Sequence, residues 1–239
     1  MSADGVVDVR KRIISTGHPE IDKKLGGGVP IGSLTLVEGE SDAGKSVLCQ
    51  QMIWGSLSNG YRAVLFTTEN TTRSLVTQMD SLGLHILDHL LLGRLRVYYV
   101  KPSEAKAHSN EAFATILRAI GRADKFPLIV VDSLTPMLSI AGDTDIMSYF
   151  ERCKFYCDQG RTIINVTHSY AMNNDLLIRL RSACDAHLRL MIEKIGDKLV
   201  KTLEVAKVRG AAQTTGNVIT FEVEPEIGMK IMPLSRAKA

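Results

Sequence analysis

The amino-acid sequence predicts an α/β fold with a mostly parallel central sheet, flanking helices and antiparallel hairpins near its C-terminal end. Short β-branched runs alternate with helical patterns from residue 33 to about residue 190, which is typical of successive βαβ units. From Ala186 the residues alternate between apolar and polar and are interrupted by Gly-Asp and Ile-Gly turns, which indicates hairpins at the sheet edge. A length of 239 residues with 45% hydrophobic residues suits one core, so we expect residues 1–239 to form a single domain with flexible ends at 1–10 and 235–239.

The parallel part of the sheet is predicted to contain five strands with a helix between each pair. The two strands latest in the chain are almost entirely apolar, as expected for central strands that are covered on both faces. The strands are predicted at 33–39, 62–69, 95–100, 127–133 and 161–169. The helices are predicted from Lys45 to a stop at Gly60, from a cap at Thr71 or Thr72 to Gly83, over 111–123, and around 149–156.

Charge and composition argue against several classes of protein. The formal net charge is +3, and basic residues are interspersed with acidic ones, which does not indicate a nucleic-acid-binding protein. No apolar run is long enough to span a bilayer, and the N-terminus lacks the apolar core of a signal peptide, so we expect a cytoplasmic protein. The four cysteines are expected to be reduced, and the spacing of Cys153, Cys157 and His168 disfavours a zinc site.

A phosphate-binding loop is predicted where the first strand meets the first helix. The residues there have the pattern G-x-x-x-x-G-K-S, and a loop between a strand and a helix is the context in which this pattern binds ATP. Backbone N–H groups would surround the β-phosphate, Lys45 would reach the β and γ oxygens, and the hydroxyl of Ser46 would bind Mg²⁺. The alternative is a glycine turn with a chance Lys-Ser pair. The residues assigned to the nucleotide are Gly39, Glu40, Ser41, Asp42, Ala43, Gly44, Lys45, Ser46 and Val47.

Polar residues that end the neighbouring strands complete the predicted site. Asp132 follows an apolar strand and can hold Mg²⁺ together with Ser46. Glu69, at the end of the second strand, is the candidate for activating water, although it could instead begin the next helix. Thr167 and His168, at the end of the fifth strand, are candidates for sensing the γ-phosphate, or they simply end that strand.

Several segments that contain these residues resemble the corresponding segments of a known protein family. The segment STGHPEIDKKLGGGVPIGSLTLVEGESDAGKS is similar to the one by which RecA/RadA and KaiC-type ATPases lead a small helix and a glycine turn into their phosphate-binding loop. FTTEN, LIVVDS and AKVRG then follow in the order of that family's catalytic glutamate, magnesium-binding aspartate and late Lys-x-Arg. The resemblance extends over 15–232 and implies a RecA/KaiC-like P-loop NTPase core. It also implies that Lys207 and Arg209 reach the γ-phosphate of a neighbouring subunit, whereas the strand pattern alone indicates two solvated basic residues.

Within that superfamily, the acidic loop and the stretches LLIRLRSACDAHLRL and VAKVRGA are similar to the ATP-binding proteins of the archaellum, the archaeal flagellum. This resemblance implies a nucleotide-gated homo-oligomer, expected to be a hexameric ring, at the inner face of the cell membrane. It implies as partners the motor ATPase FlaI, the platform protein FlaJ, and a scaffold that is FlaX or FlaC, FlaD and FlaE. Asp42 stands where KaiC loops have glycine, and Glu69 stands alone where KaiC has adjacent glutamates, so we expect weak or no hydrolysis.

The sequence is also compatible with two other functions. A RadA-like, DNA-dependent recombinase paralogue would bind DNA through 169–185, which contains Arg179 and Arg181 but has the pattern of an amphipathic helix. A KaiC-like signalling ATPase or autokinase would use the same phosphate-binding loop. The cofactors expected in every case are ATP and Mg²⁺.

Overall fold

The computed structural model describes residues 13–195, 198–211 and 218–232. The chain ends that we expect to be flexible, 1–10 and 235–239, and the Gly-Asp turn at 196–197 lie outside these residues. No helix within the described ranges has the length and apolar character that crossing a bilayer requires.

The described residues form a central sheet preceded by a small two-stranded ribbon. The ribbon pairs β1 (Ile13–Ile14) with β2 (Val29–Pro30). The strands of the central sheet are β3 (Leu34–Gly39), β4 (Ala63–Thr67), β5 (Leu95–Tyr99), β6 (Leu128–Asp132), β7 (Thr162–His168), β8 (Ala186–Ile195), β9 (Lys198–Val208), β10 (Val218–Glu224) and β11 (Gly228–Ile231).

The central sheet has the strand order β11-β10-β9-β8-β3-β7-β6-β4-β5. From β8 to β5 all neighbours are parallel, whereas β8, β9, β10 and β11 pair antiparallel with one another. Parallel neighbours have their carboxyl ends at the same edge, so the residues that follow β3, β4, β6 and β7 lie together there. This edge carries the predicted site.

Helices cover both faces of the parallel strands. They are α1 (Pro19–Lys24), α2 (Lys45–Ser58), α3 (Thr72–Ser81), α4 (Leu87–Leu91), α5 (Pro102–Ala107), α6 (Ser109–Gly121), α7 (Thr135–Leu138), α8 (Asp143–Asp158) and α9 (Asn174–Ala183), with a 3₁₀ turn at Ser169–Ala171.

Two apolar layers fix these helices to the sheet. On one face α2 and α3 pack through Leu48, Met52 and Leu75 against the sheet, and on the other face α6, α8 and α9 pack through residues such as Phe113 and Phe150. Burial of one such side chain contributes about 1.5–3 kcal/mol relative to its exposure. The sheet is therefore held rigidly beneath the edge where the polar residues meet.

The predicted strands and helices are recovered, with some differences. The second strand ends at Thr67 and not at Glu69, because the Thr67 hydroxyl accepts hydrogen bonds from the N–H groups of Glu69 and Asn70 and turns the chain out of the sheet. Helices α4, α5 and α7 were not predicted, since each has six residues or fewer and too few positions to show a helical period. Strand β8 belongs to the predicted hairpins, yet it first joins β3 in parallel.

The four cysteines are all buried and free. Burial raises the pKa of the Cys153 thiol, and likewise that of Cys184, to about 12. His168, the third residue weighed for zinc, instead contacts Thr135 and Tyr170. The described residues contain no group of three His, Cys, Asp or Glu side chains placed to hold a metal ion.

Candidate functional site

The turn from β3 into α2 requires glycine at two positions. A Cβ atom on Gly39 would lie 2.1 Å from the carbonyl oxygen of Leu190, because β8 passes directly beside the loop. Gly44 has a φ of 96°, in the left-handed region that favours glycine, and a Cβ there would lie 3.1 Å from the ring of Phe221. The two glycines of the motif are therefore fixed by close packing and by backbone conformation.

The N-terminus of α2 provides an anion-binding cradle. Gly44 caps the helix without any side-chain hydrogen bond, and the first turn contains no acidic residue. The first N–H groups of a helix lack acceptors within it, and they coincide with the positive end of the helix dipole. A phosphate group bound there would accept hydrogen bonds from these N–H groups and interact favourably with the helix dipole.

Lys45 lies inside this cradle. Its side chain is almost fully buried, and Nζ donates a hydrogen bond to the carbonyl oxygen of Glu40. Burial lowers the pKa of Lys45, although the nearby carboxylates of Asp132 and Glu69 oppose this effect. A cation that is removed from water and held by one neutral carbonyl is poised to bind a phosphate oxygen.

The acidic side chains of the loop lie at its surface. Glu40 and Asp42 are both exposed. Asp42 has a φ of 60°, and its carbonyl oxygen accepts a hydrogen bond of 2.6 Å from Nζ of Lys201. Glu40 and Asp42 thus accept hydrogen bonds from lysines through their backbone carbonyls while their carboxylates stay at the surface, which explains how two carboxylates are tolerated in an anion-binding turn.

Asp132 and Ser46 form a donor set that suits Mg²⁺. The carboxylate of Asp132 is buried, and its Oδ1 has no hydrogen-bond partner among the described residues. The hydroxyl of Ser46 donates to Oε2 of Glu69 at 3.4 Å. Burial and the charge of Glu69 raise the pKa of Asp132 to about 7, although the nearby Ser46 hydroxyl and the charge of Lys45 act in the opposite direction. An unsatisfied buried carboxylate oxygen beside a hydroxyl fits a hard divalent cation.

Glu69 lies at the mouth of the site. Its backbone is fixed by the Thr67 hydroxyl, at 3.2 Å from the Glu69 nitrogen, while the side chain is exposed and reaches Ser46. This position allows the carboxylate to orient a water molecule near the end of a bound triphosphate. Among the described residues, the hydrogen bond of 3.4 Å from Ser46 is the contact that orients the carboxylate.

Thr68 and Ser133 connect the ends of β4 and β6. The Thr68 hydroxyl accepts a hydrogen bond of 3.1 Å from the N–H of Ser133, and the N–H of Thr68 donates to the Asp132 carbonyl at 2.9 Å. The peptide bond between Asp132 and Ser133 is cis. These contacts hold Asp132 and Glu69 on adjacent strands in a fixed relation.

His168 lies at the end of β7 and faces the loop. The Thr135 hydroxyl lies 3.0 Å from both the His168 backbone nitrogen and Nδ1, and the imidazole stacks on Tyr170, which is 71% exposed. Burial and the charge of Lys45 lower the pKa of His168, so the ring is neutral at pH 7. Thr167 is buried and directs its hydroxyl to the His168 carbonyl. A neutral imidazole at this position can donate a hydrogen bond to a phosphate but adds no charge.

Lys207 and Arg209 lie apart from these residues. Val208 pairs with Ala186, which in turn pairs with Thr35 near the start of β3. The phosphate-binding loop follows the opposite end of that strand, four positions and roughly 13 Å farther on. The two basic side chains therefore do not reach the loop of their own subunit.

The C-terminal end of α9 holds both basic side chains. Nζ of Lys207 donates to the carbonyl oxygens of Arg181 at 2.8 Å and Ser182 at 3.3 Å. Arg209 donates to Ser182 O at 3.5 Å and lies 3.8 Å from the carboxylate of Asp185. Unpaired carbonyls and the negative end of a helix dipole favour cations at this position.

The structure thus brings Glu69, Asp132, Thr167 and His168 to the loop and leaves Lys207 and Arg209 elsewhere. Sequence reasoning missed Thr68 and Thr135, whose hydroxyls fix this arrangement. A signal was present, because both are hydroxyl residues within three positions of a predicted strand end. Position alone does not distinguish them from ordinary turn residues.

Comparison with known proteins yields one family and several relatives. The sequence model of the ATPase family KaiC matches residues 14–236. The archaeal flagellar ATP-binding protein FlaH of Sulfolobus acidocaldarius is 27% identical over 229 residues, which cover 95% of this chain and 100% of that protein. The FlaH protein of Methanocaldococcus jannaschii is 29% identical over 233 residues, which cover 95% of this chain and 97% of that protein.

A solved structure is also similar over nearly the whole chain. The crystal structure of the flagellar accessory protein FlaH from Methanocaldococcus jannaschii matches with a TM-score of 0.82 and 27% identity, covering 93% of this chain and 98% of that one. The fold predicted from the sequence, a RecA/KaiC-like core with C-terminal antiparallel strands, is confirmed. The predicted resemblance to archaellum ATP-binding proteins is confirmed as well.

Proposed function

The chain belongs to the KaiC family of ATPases, and from this premise we propose that it is an ATP-binding regulatory component of an archaellum motor. The relatives that are named archaeal flagellar ATP-binding proteins support this role. The observation that carries the proposal is the division of the site: one subunit contributes the loop, Asp132 and Glu69, whereas Lys207 and Arg209 lie out of reach of that loop. A second copy of the chain completes the site.

ATP is held by this chain's own residues as follows. The N–H groups at the start of α2 and the ammonium of Lys45 bind the phosphates, and Lys45 exchanges the Glu40 carbonyl for a phosphate oxygen. Ser46 and Asp132 would hold Mg²⁺, which would neutralise charge on the phosphates. His168 donates a hydrogen bond to the γ-phosphate through its imidazole ring.

Hydrolysis is slow or absent in this proposal. Glu69 is the carboxylate in position to orient a water molecule, but in the described part of the chain its exposed side chain is restrained only by a long hydrogen bond from Ser46. Residue 133, after the magnesium-binding aspartate, is a serine and offers no second carboxylate. A loosely held general base loses much of the benefit of preorganisation.

Lys207 and Arg209, which we call the bridging cations, reach the γ-phosphate bound by a neighbouring copy. Their contribution differs between ATP and ADP, since ADP lacks that phosphate. A ligand shifts an equilibrium only through such a difference in affinity between states. ATP therefore favours the assembled form, a ring for which six copies are the expected number.

The assembled form acts on other archaellum proteins. Its proposed partners are the motor ATPase FlaI, the platform protein FlaJ, and a scaffold of FlaX or of FlaC, FlaD and FlaE. These interactions place the protein at the inner face of the cell membrane. The support for them is the similarity to FlaH proteins over 95% of the chain.

DNA binding by 169–185 is less well supported than this role. Arg179 pairs with Asp143 at 2.7 Å, and Arg181 pairs with Glu38. Both arginines would have to leave a carboxylate before they could contact a DNA phosphate. We therefore do not propose a RadA-like function, and no observation specifically favours an autokinase.

Light scattering with size-exclusion chromatography tests the proposal, combined with an assay of phosphate release. Wild type is compared with Lys45→Ala and Glu69→Gln in ATP, ADP and no nucleotide. We expect assembly with ATP alone and little phosphate release. We expect Lys45→Ala to lose nucleotide binding by calorimetry and, with it, assembly. Fast phosphate release that Glu69→Gln abolishes would instead identify an ATP-hydrolysing motor component.

A further inference from the structure

Glu38 is a buried carboxylate directly before the phosphate-binding loop. It precedes Gly39, and no part of it is exposed. Its carboxylate pairs with the guanidinium of Arg181 on α9, and lies 3.1 Å from Nε2 of His187 and 4.0 Å from Nε of Arg189. Burial raises the pKa of Glu38, but hydrogen bonds from His187 and Arg181 outweigh burial and hold that pKa below its ordinary value. The carboxylate is therefore ionised and anchored.

The same arginine holds one of the bridging cations through its main chain. The carbonyl oxygen of Arg181 accepts the 2.8 Å hydrogen bond from Lys207, and the next carbonyl, that of Ser182, accepts from Lys207 and Arg209. The side chain of Arg181 points to the strand that leads into the loop, while its backbone points to the bridging cations. The last turn of α9 thus joins the two halves of the divided site.

We propose that Arg181 is a positioning residue: by binding Glu38 it fixes the end of α9, whose carbonyls hold Lys207 and Arg209 ready for the neighbouring subunit. This inference rests on the proposed function. Lysine and arginine lose more conformational entropy on being ordered than most side chains do. Ordering them before assembly lowers the free-energy cost of binding, which is the general benefit of preorganisation.

Arg179 provides a matched control on the same helix. It also pairs with a carboxylate, Asp143, but this pair is about half exposed, and the Arg179 backbone accepts no hydrogen bond from either bridging cation. Arg179→Met removes the same charge from the same helix, two residues away. Any general effect of net charge or helix stability is common to both substitutions.

The first test compares the protein concentration at which half of the subunits assemble in ATP and Mg²⁺, measured by light scattering. We expect Arg181→Met to raise this concentration by about tenfold, Arg181→Lys by roughly threefold, and Arg179→Met by less than about twofold. Glu38→Gln keeps the shape of the side chain and should act like Arg181→Lys. ATP affinity measured by calorimetry below the assembly concentration should change by less than about threefold in all four.

A double-mutant cycle separates positioning from a purely structural role. If Arg181 acts through Lys207 and Arg209, then Arg181→Met should have a smaller effect in a Lys207→Ala background than in the wild type, because only Arg209 remains to be positioned. A purely structural role gives the same penalty in both backgrounds. Equal penalties would overturn the inference, and so would wild-type assembly by Arg181→Met. Where Arg181→Met does not fold, wild-type assembly by both Arg181→Lys and Glu38→Gln would overturn it.

The outcomes also separate this inference from the proposed function. If Lys207→Ala and Arg209→Ala both assemble like wild type, then the contacts between subunits fail and the positioning role fails with them. If those two variants assemble poorly while Arg181→Met and Glu38→Gln do not, only the positioning role is wrong. Circular dichroism of each variant confirms that the fold is retained.

Discussion

The environment of the Asp132 side chain favours binding of a cation. Its carboxyl group is buried beside Glu69, and its Oδ1 has no hydrogen-bond partner in the described part of the chain. Burial and the charge of Glu69 disfavour the ionised form more than the charge of Lys45 favours it, so the pKa of Asp132 rises to about 7. A bound divalent ion would stabilise the ionised carboxylate. Asp132 therefore lowers the stability of the free protein and favours binding of the ion.

Asp132→Asn should therefore stabilise the nucleotide-free protein at high pH. The folded protein keeps the Asp132 proton up to about pH 7, whereas the unfolded chain releases it near pH 4, so stability from this group falls as pH rises between those values. We expect a gain in unfolding free energy on the order of 1–4 kcal/mol at about pH 8 and a much smaller one at about pH 5. Urea denaturation at both pH values measures it.

Asp158 is exposed, so the Asp158→Asn variant shows the effect of removing one negative charge without a change in burial. A gain at pH 8 equal to the gain at pH 5 would show that Asp132 is ionised without strain in the free protein. The same Asp132→Asn variant should lose the dependence of ATP affinity on Mg²⁺, because the amide removes the anionic ligand.

At the residue scale, the sequence predicted those side chains of the candidate site that belong to a recognisable motif. Lys45 and Ser46 follow from the loop pattern, and Asp132 from an apolar strand that ends in a carboxylate. Glu38 was not predicted, because a glutamate beside a loop gives no sign that an arginine 143 positions later will pair with it. Contacts between distant segments depend on how the elements pack, which a local pattern does not record.

At the scale of elements, α9 connects the nucleotide edge with the bridging cations. It begins after the 3₁₀ turn that follows His168 and ends at the carbonyls that hold Lys207 and Arg209. Its N-cap, Asn173, accepts a hydrogen bond of 2.8 Å from the N–H of Leu176. Such a cap is the local interaction that fixes where the helix starts.

Asn173→Ala should lower the free energy of unfolding by about 0.5–2 kcal/mol, because the first turn of α9 loses its acceptor. Asn174→Ala is the control, since Asn174 is the same residue type one position along, and its side chain makes no hydrogen bond among the described residues. We expect the control to change stability by less than about 0.5 kcal/mol. Urea denaturation measures the free energy of unfolding of both variants. Equal losses of stability would rule out the capping role.

The elements that were predicted well from the sequence are those with a long amphipathic or apolar pattern. The amphipathic stretch within 169–185 became α9, and the apolar runs at 127–133 and 161–169 became the central strands β6 and β7. The pairing of β8 with β3 was not predicted, since an alternating strand does not reveal its neighbour. That pairing depends on α9 returning the chain to the start of β3, where the N–H of Leu34 donates to the Asp185 carboxylate.

At the scale of the whole molecule, the proposed site is divided between two surfaces. The loop, Asp132 and Glu69 lie at the carboxyl edge of the parallel strands, and the bridging cations lie beside the start of β3. A subunit that has lost one surface still has the other. This division allows a test that a site confined to one subunit would fail.

Mixing two defective variants should restore ATP-dependent assembly in part. Lys45→Ala lacks the nucleotide but keeps Arg209, whereas Arg209→Ala binds the nucleotide but lacks the cation that reaches it. A complete site forms wherever the Arg209 of the first variant meets the nucleotide of the second, which is about one in four contacts in a random equal mixture. Light scattering of the mixture should therefore exceed that of either variant alone at the same total concentration.

The physical reason for this recovery is that the two substitutions damage opposite sides of a head-to-tail interface. If Arg209 acted on the nucleotide of its own subunit, every site in the mixture would lack one component, and scattering would equal the mean of the two variants. A mixture of Lys207→Ala with Arg209→Ala provides the control, because both substitutions lie on the same surface and every contact in that mixture lacks one of the two cations. Recovery in the first mixture but not in the second would assign Arg209 to the neighbouring subunit's nucleotide.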